Sequence, residues 1–305
     1  TGEFKGKCMI DDDMGYHRLG VAQGGMVDTP DGEWYAFMFQ DRGALGRAPL
    51  IMPLHFDEEG FPVAGADGKV PEFVKVPSTR PGYQYQPLNG DDDFIYTPDD
   101  DGTIHLKPFW QFNHNPVGTL WSVTERRGAY RLYSGRICSG LAYGYNTLTQ
   151  RTSGPESAAW VTVDASRLKD GDYAGICAFT GCYGAVALTK EKGRYYIVML
   201  GKPAQNETVF GDSDFLEPAK EYERVAIGSE AATLKIHTDF TDMRDEASCF
   251  YLSNGEWNRI GVRQKLYFKM DHFTGCRFGL FLFSTKQTGG YADFMQFRYW
   301  KGDWR

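Results

Sequence analysis

"GMVDTPDGEWYAFMFQD", residues 25–41, decides the fold class. An apolar run stands on each side of Thr29-Pro30-Asp31-Gly32. Pro presets one turn residue and Gly accepts positive φ, so this spacing predicts a β-hairpin. Outward from it, "RAPLIMPLHFDEEGFPVAG" (47–65) continues the β pattern. Pro49 and Pro53 flank its apolar run, which predicts a short or edge strand.

Residues 67–91 change character. They hold Pro71, Pro77, Pro81 and Pro87 and no helical period, and read as an extended connector that packs through Phe73, Val74, Val76, Tyr83 and Tyr85. We therefore divide the chain into 1–66, the connector 67–91 and a larger unit 92–305. In that unit short β-runs recur between turn signals, among them "AYRLYS", "SAAWVTVDA", "YAGICAFT", "RYYIVML", "KLYFKM" and "RFGLFLFS". Such spacing predicts a sandwich of two antiparallel sheets. In "TLKIHTDF" the alternation sends Leu234, Ile236 and Thr238 to one face and Lys235, His237 and Asp239 to the other. Only "DSDFLEPAKEYERV" (212–225) hints at a helix, interrupted by Pro218.

Composition agrees with an all-β chain: 21 Phe, 18 Tyr, 7 Trp and 36 Gly in 305 residues. The net charge of -7 argues against a phosphate-tracking nucleic-acid binder and leaves a neutral sugar ligand open. Apolar runs are too short for a transmembrane helix. The six cysteines form no CxxC pair, so buried thiols are expected rather than a zinc site. Thr1 opens the chain without a signal peptide, which suggests a processed chain or a piece of something longer.

Two stretches carry a family resemblance. "GVAQGGMVDTPDGEWYAFMFQDRGALGRAPLIMPLHFDEEGFPVAG" (20–65) resembles the last part of the five-bladed β-propeller of glycoside hydrolase family 43, which includes β-xylosidases and α-L-arabinofuranosidases. "FWQFNHNPVGTLWSVTERRGAYRLYSG" (109–135), "NTLTQRTSGP", "LKDGDYAGICAF" and "GGYADF" resemble the concanavalin-like C-terminal β-sandwich attached to many such enzymes. The resemblance implies the C-terminal portion of an inverting hydrolase acting on xylosidic or arabinosidic bonds of plant polysaccharide. Its partners would be a xylo- or arabino-oligosaccharide and a missing N-terminal propeller segment, with no nucleic acid and no membrane. No organic cofactor is expected. The alternative is a non-catalytic carbohydrate-binding sandwich. A leader upstream would place the full protein in the periplasm or outside the cell.

An inverting pair needs a general acid and a general base roughly 6.5–9.5 Å apart. The resemblance puts the family's catalytic carboxylates before Thr1 or on another chain, so none of Glu3, Glu33, Asp11, Asp12 or Asp13 is taken as acid or base. The run Asp11–Asp13 reads as a solvated turn. One blade cannot close a propeller, because its edge strands stay unpaired.

The resemblance also nominates site residues. Arg47, in "GALGRAPL", would face the pocket and bind sugar hydroxyls or a catalytic carboxylate; the rival is a surface arginine after a Gly-rich turn. Gln23, in "AQGG", stands near a position where many members carry a His, and would line the pocket floor or support a turn. Gln40, Asp41 and Arg42 would lie near the rim. Phe273, in "DHFTGCRFG", would close one side of the pocket or fill the core. Asp93 and Asp293 would hold a structural Ca²⁺ where first and last strands meet, or else bond backbone amides; Met295 stands where the family often has a further Asp. Trp110, Trp121 and Trp160 are candidates for a sugar-stacking platform or for the core.

Overall fold

A computed structural model describes residues 10, 12–76, 78–203, 218–267 and 274–302. The chain divides into two units, one of residues 1–42 and 46–85, the other of residues 43–45 and 86–305.

The first unit is a four-stranded antiparallel meander, β1 (Val21–Asp28), β2 (Trp34–Asp41), β3 (Arg47–Phe56) and β4 (Pro62–Ala64), in sequence order. This is the form of a single propeller blade. The hairpin predicted around Thr29–Gly32 joins β1 to β2, with Gly32 at φ +83°. Val21, Ala36, Met52, Leu54 and Ala64 form its buried cluster.

β3 corrects the expectation of a short or edge strand. It runs ten residues and lies between β2 and β4. The reason is directional. Pro53 C=O accepts from Gly65 N–H, so Pro53 faces β4, and Pro49, four residues earlier, faces the same side. β4 pairs only with Leu54–Phe56. Both missing N–H groups therefore point away from the β2 ladder and break no bond in it.

The second unit contains β5 (Gln111–Phe112), β6 (Trp121–Ser122), β7 (Tyr130–Tyr133), β8 (Leu148–Arg151), β9 (Glu156–Asp164), β10 (Asp172–Thr180) and β11 (Cys182–Glu191). It continues with β12 (Arg194–Lys202), β13 (Lys220–Ile227), β14 (Ala231–Asp239), β15 (Glu246–Ser253), β16 (Glu256–Lys265), β17 (Arg277–Ser284) and β18 (Tyr291–Lys301). They form two seven-stranded sheets, ordered β13-β12-β11-β10-β17-β8-β5 and β16-β15-β14-β9-β18-β7-β6. The helix hinted around Pro218 is corrected where it is described: Lys220–Ile227 is strand β13, paired with β12. Pairing wins because β12 offers an open ladder, while Pro218 bars a helix through it.

The core lies between the sheets and includes Ile176, Leu188, Ile197, Leu234, Ile236, Phe278, Leu280 and Phe294. Leu234, Ile236 and Thr238 are buried, as the alternation in "TLKIHTDF" requires. The first sheet is buried on its other face too, where Cys177, Phe179, Tyr183, Val198, Phe281 and Phe283 pack under Leu141 and Ala142. Both faces of β17 are thus covered, which explains its unbroken apolar run. Cys177, Cys182, Cys249 and Cys276 are buried free thiols, and Cys138 is half-buried. Desolvation pushes the thiols of Cys177, Cys249 and Cys276 well above the usual range. No helix among the described residues is long and apolar enough to cross a membrane.

Candidate functional site

On the four-stranded sheet the cross-strand pairing Asp41↔Arg47 brings two side chains together. Arg47 Nε donates to Asp41 Oδ1 at 3.2 Å, and its guanidinium lies over the Phe39 ring at 4.3 Å from the centroid. Phe39 and Asp41 share one face of β2, since strand residues two apart point the same way. Arg47 is therefore held by a carboxylate and a ring at once, an arrangement suited to a planar guanidinium.

Gln23 sits at a bulge in β1, where the register shifts between Ala22 and Gly24. Its φ is +48°, a left-handed backbone. Gly24 is required beside it, because a Cβ there would meet Phe37 O at 1.8 Å. Gln23, Gly24, Gly25, Met26, Met38 and Pro62 line an open pocket of about 330 Å³. Met38 points to the face opposite Phe39, so the structure does not bring Gln23 and Arg47 into one pocket. Gln40 is fully buried and donates to Asp13 O at 2.8 Å and Leu19 O at 2.6 Å. Arg42 lies over Tyr16. Phe273 lies outside the described residues.

The solvated turn expected at Asp11–Asp13 is corrected at Asp12. Its side chain is only 8% exposed and accepts from Val70 N at 2.8 Å, a bond that, with help from Met14 N and Lys69, holds its pKa below the usual range. It ties the segment before β1 to the stretch after β4. Asp11 lies outside the described residues.

Asp93 and Asp293 do not converge. Asp293 is buried, and both its oxygens are taken: Arg131 donates from Nε at 2.7 Å and Nη2 at 2.8 Å, and Arg126 Nη1 donates at 2.9 Å. Asp93 is exposed and pairs with Arg298 Nη2 at 2.7 Å. Two guanidiniums on one carboxylate do not fit a Ca²⁺ ligand set, which needs several free oxygens. Among the described residues no cluster of three or more His, Cys, Asp or Glu could hold a metal. The buried carboxylate at the sandwich entrance is Asp92, which accepts from Phe94 N at 2.9 Å and Trp110 Nε1 at 2.8 Å, and from the Tyr96 hydroxyl.

That bond places Trp110 in the core, stacked on Phe94. Trp121 packs against Phe112 and Tyr130. Trp160 is different. It faces outward on β9 and meets Trp257 of β16 edge-on at 6.3 Å. Register aligns Arg298, Trp160, Lys235, Phe250 and Arg259 as one row across five strands. Sequence reasoning found Trp160 and the outward side of Lys235, but missed Trp257, Phe250 and Arg259, whose alignment depends on long-range pairing. His114 Nε2 lies 3.0 Å from Ala142 O.

A family model described as the β-xylosidase C-terminal concanavalin A-like domain matches residues 101–300. A putative β-xylosidase of Xylanibacter ruminicola is 31% identical over 173 residues, 56% of this chain and 32% of that protein. A solved structure of a bifunctional GH43-CE protein of Bacteroides eggerthii superposes with a TM-score of 0.78 at 38% identity, covering 93% of this chain and 35% of that one. A third relative is a GH43 glycoside hydrolase whose engineered active site displays both endo-xylanase and exo-arabinofuranosidase activity. It superposes with a TM-score of 0.81 at 25% identity, over 94% of this chain and 56% of that chain. The chain thus spans only part of the length of each relative.

Proposed function

Because the chain belongs to the family of β-xylosidase C-terminal concanavalin A-like domains of glycoside hydrolase family 43, we propose that it is the C-terminal portion of an inverting hydrolase acting on xylosidic or arabinosidic bonds of plant polysaccharide. The observation that carries this reading is the extent of the likeness: it runs through the four-stranded unit as well as the sandwich. In this reading the catalytic carboxylates are supplied by residues outside the chain. Support comes from the two carboxyls, among the described residues, whose pKa desolvation raises. Asp172 is bonded to the Ser284 hydroxyl and to Lys169 N, and Asp245 to Ala44 N, so each is engaged inside the sandwich unit. Neither is placed to protonate a glycosidic oxygen.

The chain's own share is positioning. Arg47, held by Asp41 and Phe39, would stand where it meets sugar hydroxyls or a supplied carboxylate. The test is hydrolysis of aryl β-xyloside and aryl α-L-arabinofuranoside by the 305-residue chain alone. No turnover is expected. Activity that persists through repurification and is lost on substituting a carboxylate of this chain overturns the reading.

A further inference from the structure

The outer face of the β16-β15-β14-β9 half of the sandwich carries rings and cations in a pattern that the core does not require. Lys235 Nζ lies 4.2 Å from the Trp257 ring centroid and 4.6 Å from that of Phe250. Trp257 is 36% exposed. Beside this corner is a depression of about 210 Å³ lined in part by Phe250, Arg259, Arg263 and Glu246. The acidic residues at its wall are already matched: Asp239 to Arg244, Glu246 to Arg263. Among the described residues Lys235 and Arg259 have no carboxylate partner, although the chain as a whole is acidic. Two cations without a carboxylate beside them leave positive charge open to a negative ligand, and the adjoining rings say what kind. An aromatic face packs on the C–H face of a ring, and a guanidinium takes a carboxylate through two parallel N–H bonds.

We propose that this face binds a carboxylate-bearing polysaccharide, the Trp160–Trp257 corner stacking on sugar rings while Lys235 and Arg259 take uronate carboxylates. Lys235 and Arg259 flank Phe250 in register, two strand spacings apart, roughly 9–10 Å. That is the spacing of their backbones; the Lys235 ammonium leans over Trp257 toward the strand that carries Arg259, so one chain of sugars can meet both cations. Burial lowers the pKa of Lys235, as expected of an ammonium held against rings with little water. Binding here does not depend on hydrolysis, so it stands apart from the function proposed above.

The experiment is affinity gel electrophoresis of the 305-residue chain in glucuronoxylan and in polygalacturonate, each beside its carboxyl-reduced form. Retardation is expected in at least one acidic polymer and should weaken at least tenfold once its carboxyls are reduced. Lys235→Met with Arg259→Gln should cause a similar loss, and Trp257→Ala a smaller one, each checked for folding by circular dichroism. Equal retardation by polyglutamate, which has charge but no sugar rings, would make the face a general polyanion surface and overturn the proposal. So would unchanged binding to the reduced polymers, or no retardation in either acidic one.

Discussion

The two units each contain an arginine–carboxylate pair, and the settings differ. On the four-stranded sheet Arg47 and Asp41 have side chains 28% and 40% exposed. In the sandwich Arg131 and Asp293 are 15% and 4% exposed, and the bond to Asp293 holds the Arg131 pKa above the usual arginine range. Water screens the first pair and barely reaches the second. The contrast follows from local cover. Asp293 and Arg131 lie on the outward face of their sheet, opposite the core residues Ala292, Phe294, Tyr130 and Leu132, and the carboxylate is buried because Arg126 and Arg131 close over it. The four-stranded sheet has a small buried cluster and leaves Met26, Val27, Phe37 and Phe56 exposed. The same residue chemistry is therefore closely covered in one place and part-exposed in the other.

The largest expected effect breaks the comparison at its root. Residues 1–85 expressed alone should show no cooperative thermal transition, since one blade buries too little apolar surface to offset chain entropy. A sharp two-state melt would show that the sheet carries its own stability. Next, Asp293→Asn should destabilise the chain by about 2–3 kcal/mol, because Arg126 and Arg131 both lose a buried carboxylate acceptor and keep only Asp164 and Glu125. Urea unfolding measures this, and a loss within experimental error would mean the pair is as solvated as Arg47–Asp41.

A smaller effect concerns pH. Desolvation raises the Asp172 pKa above its ordinary 3.8 despite the Ser284 and Lys169 bonds. The folded state then binds more protons than the unfolded one across that window. Stability from this group is full below 3.8 and is lost as pH rises through the raised folded value. The urea midpoint of the parent minus that of Asp172→Asn should therefore fall as pH rises across that range; a difference that stays level or grows would remove the effect. The smallest effect is Asp41→Asn, expected to change stability by no more than about 1 kcal/mol. A cost comparable to that of Asp293→Asn would erase the contrast.

Much of the fold was legible from local pattern. Thr29–Gly32 marked its hairpin, and Leu234, Ile236 and Thr238 declared the inner face of β14, because turn chemistry and strand alternation are properties of adjacent residues. Where local reading failed, a distant partner decided. Pro49 and Pro53 looked like edge residues until the ladder direction showed both facing away from β2. Asp12 looked solvated until Val70, far along the chain, supplied a donor. Asp93 and Asp293 looked like a ligand pair, yet Arg126, Arg131 and Arg298 claim them separately.

The candidate sites divide in the same way. The sequence alone determined the all-β class, the sandwich and the family, and it singled out Arg47, since motif order and alternation survive in one dimension. Only tertiary structure decided that Arg47 leans on Asp41 and Phe39, that Gln23 lines a separate pocket, and that Trp160, Lys235, Phe250 and Arg259 form one row. Cross-strand register brings together residues as distant as Tyr130 and Phe294, and no local pattern records which of them will meet.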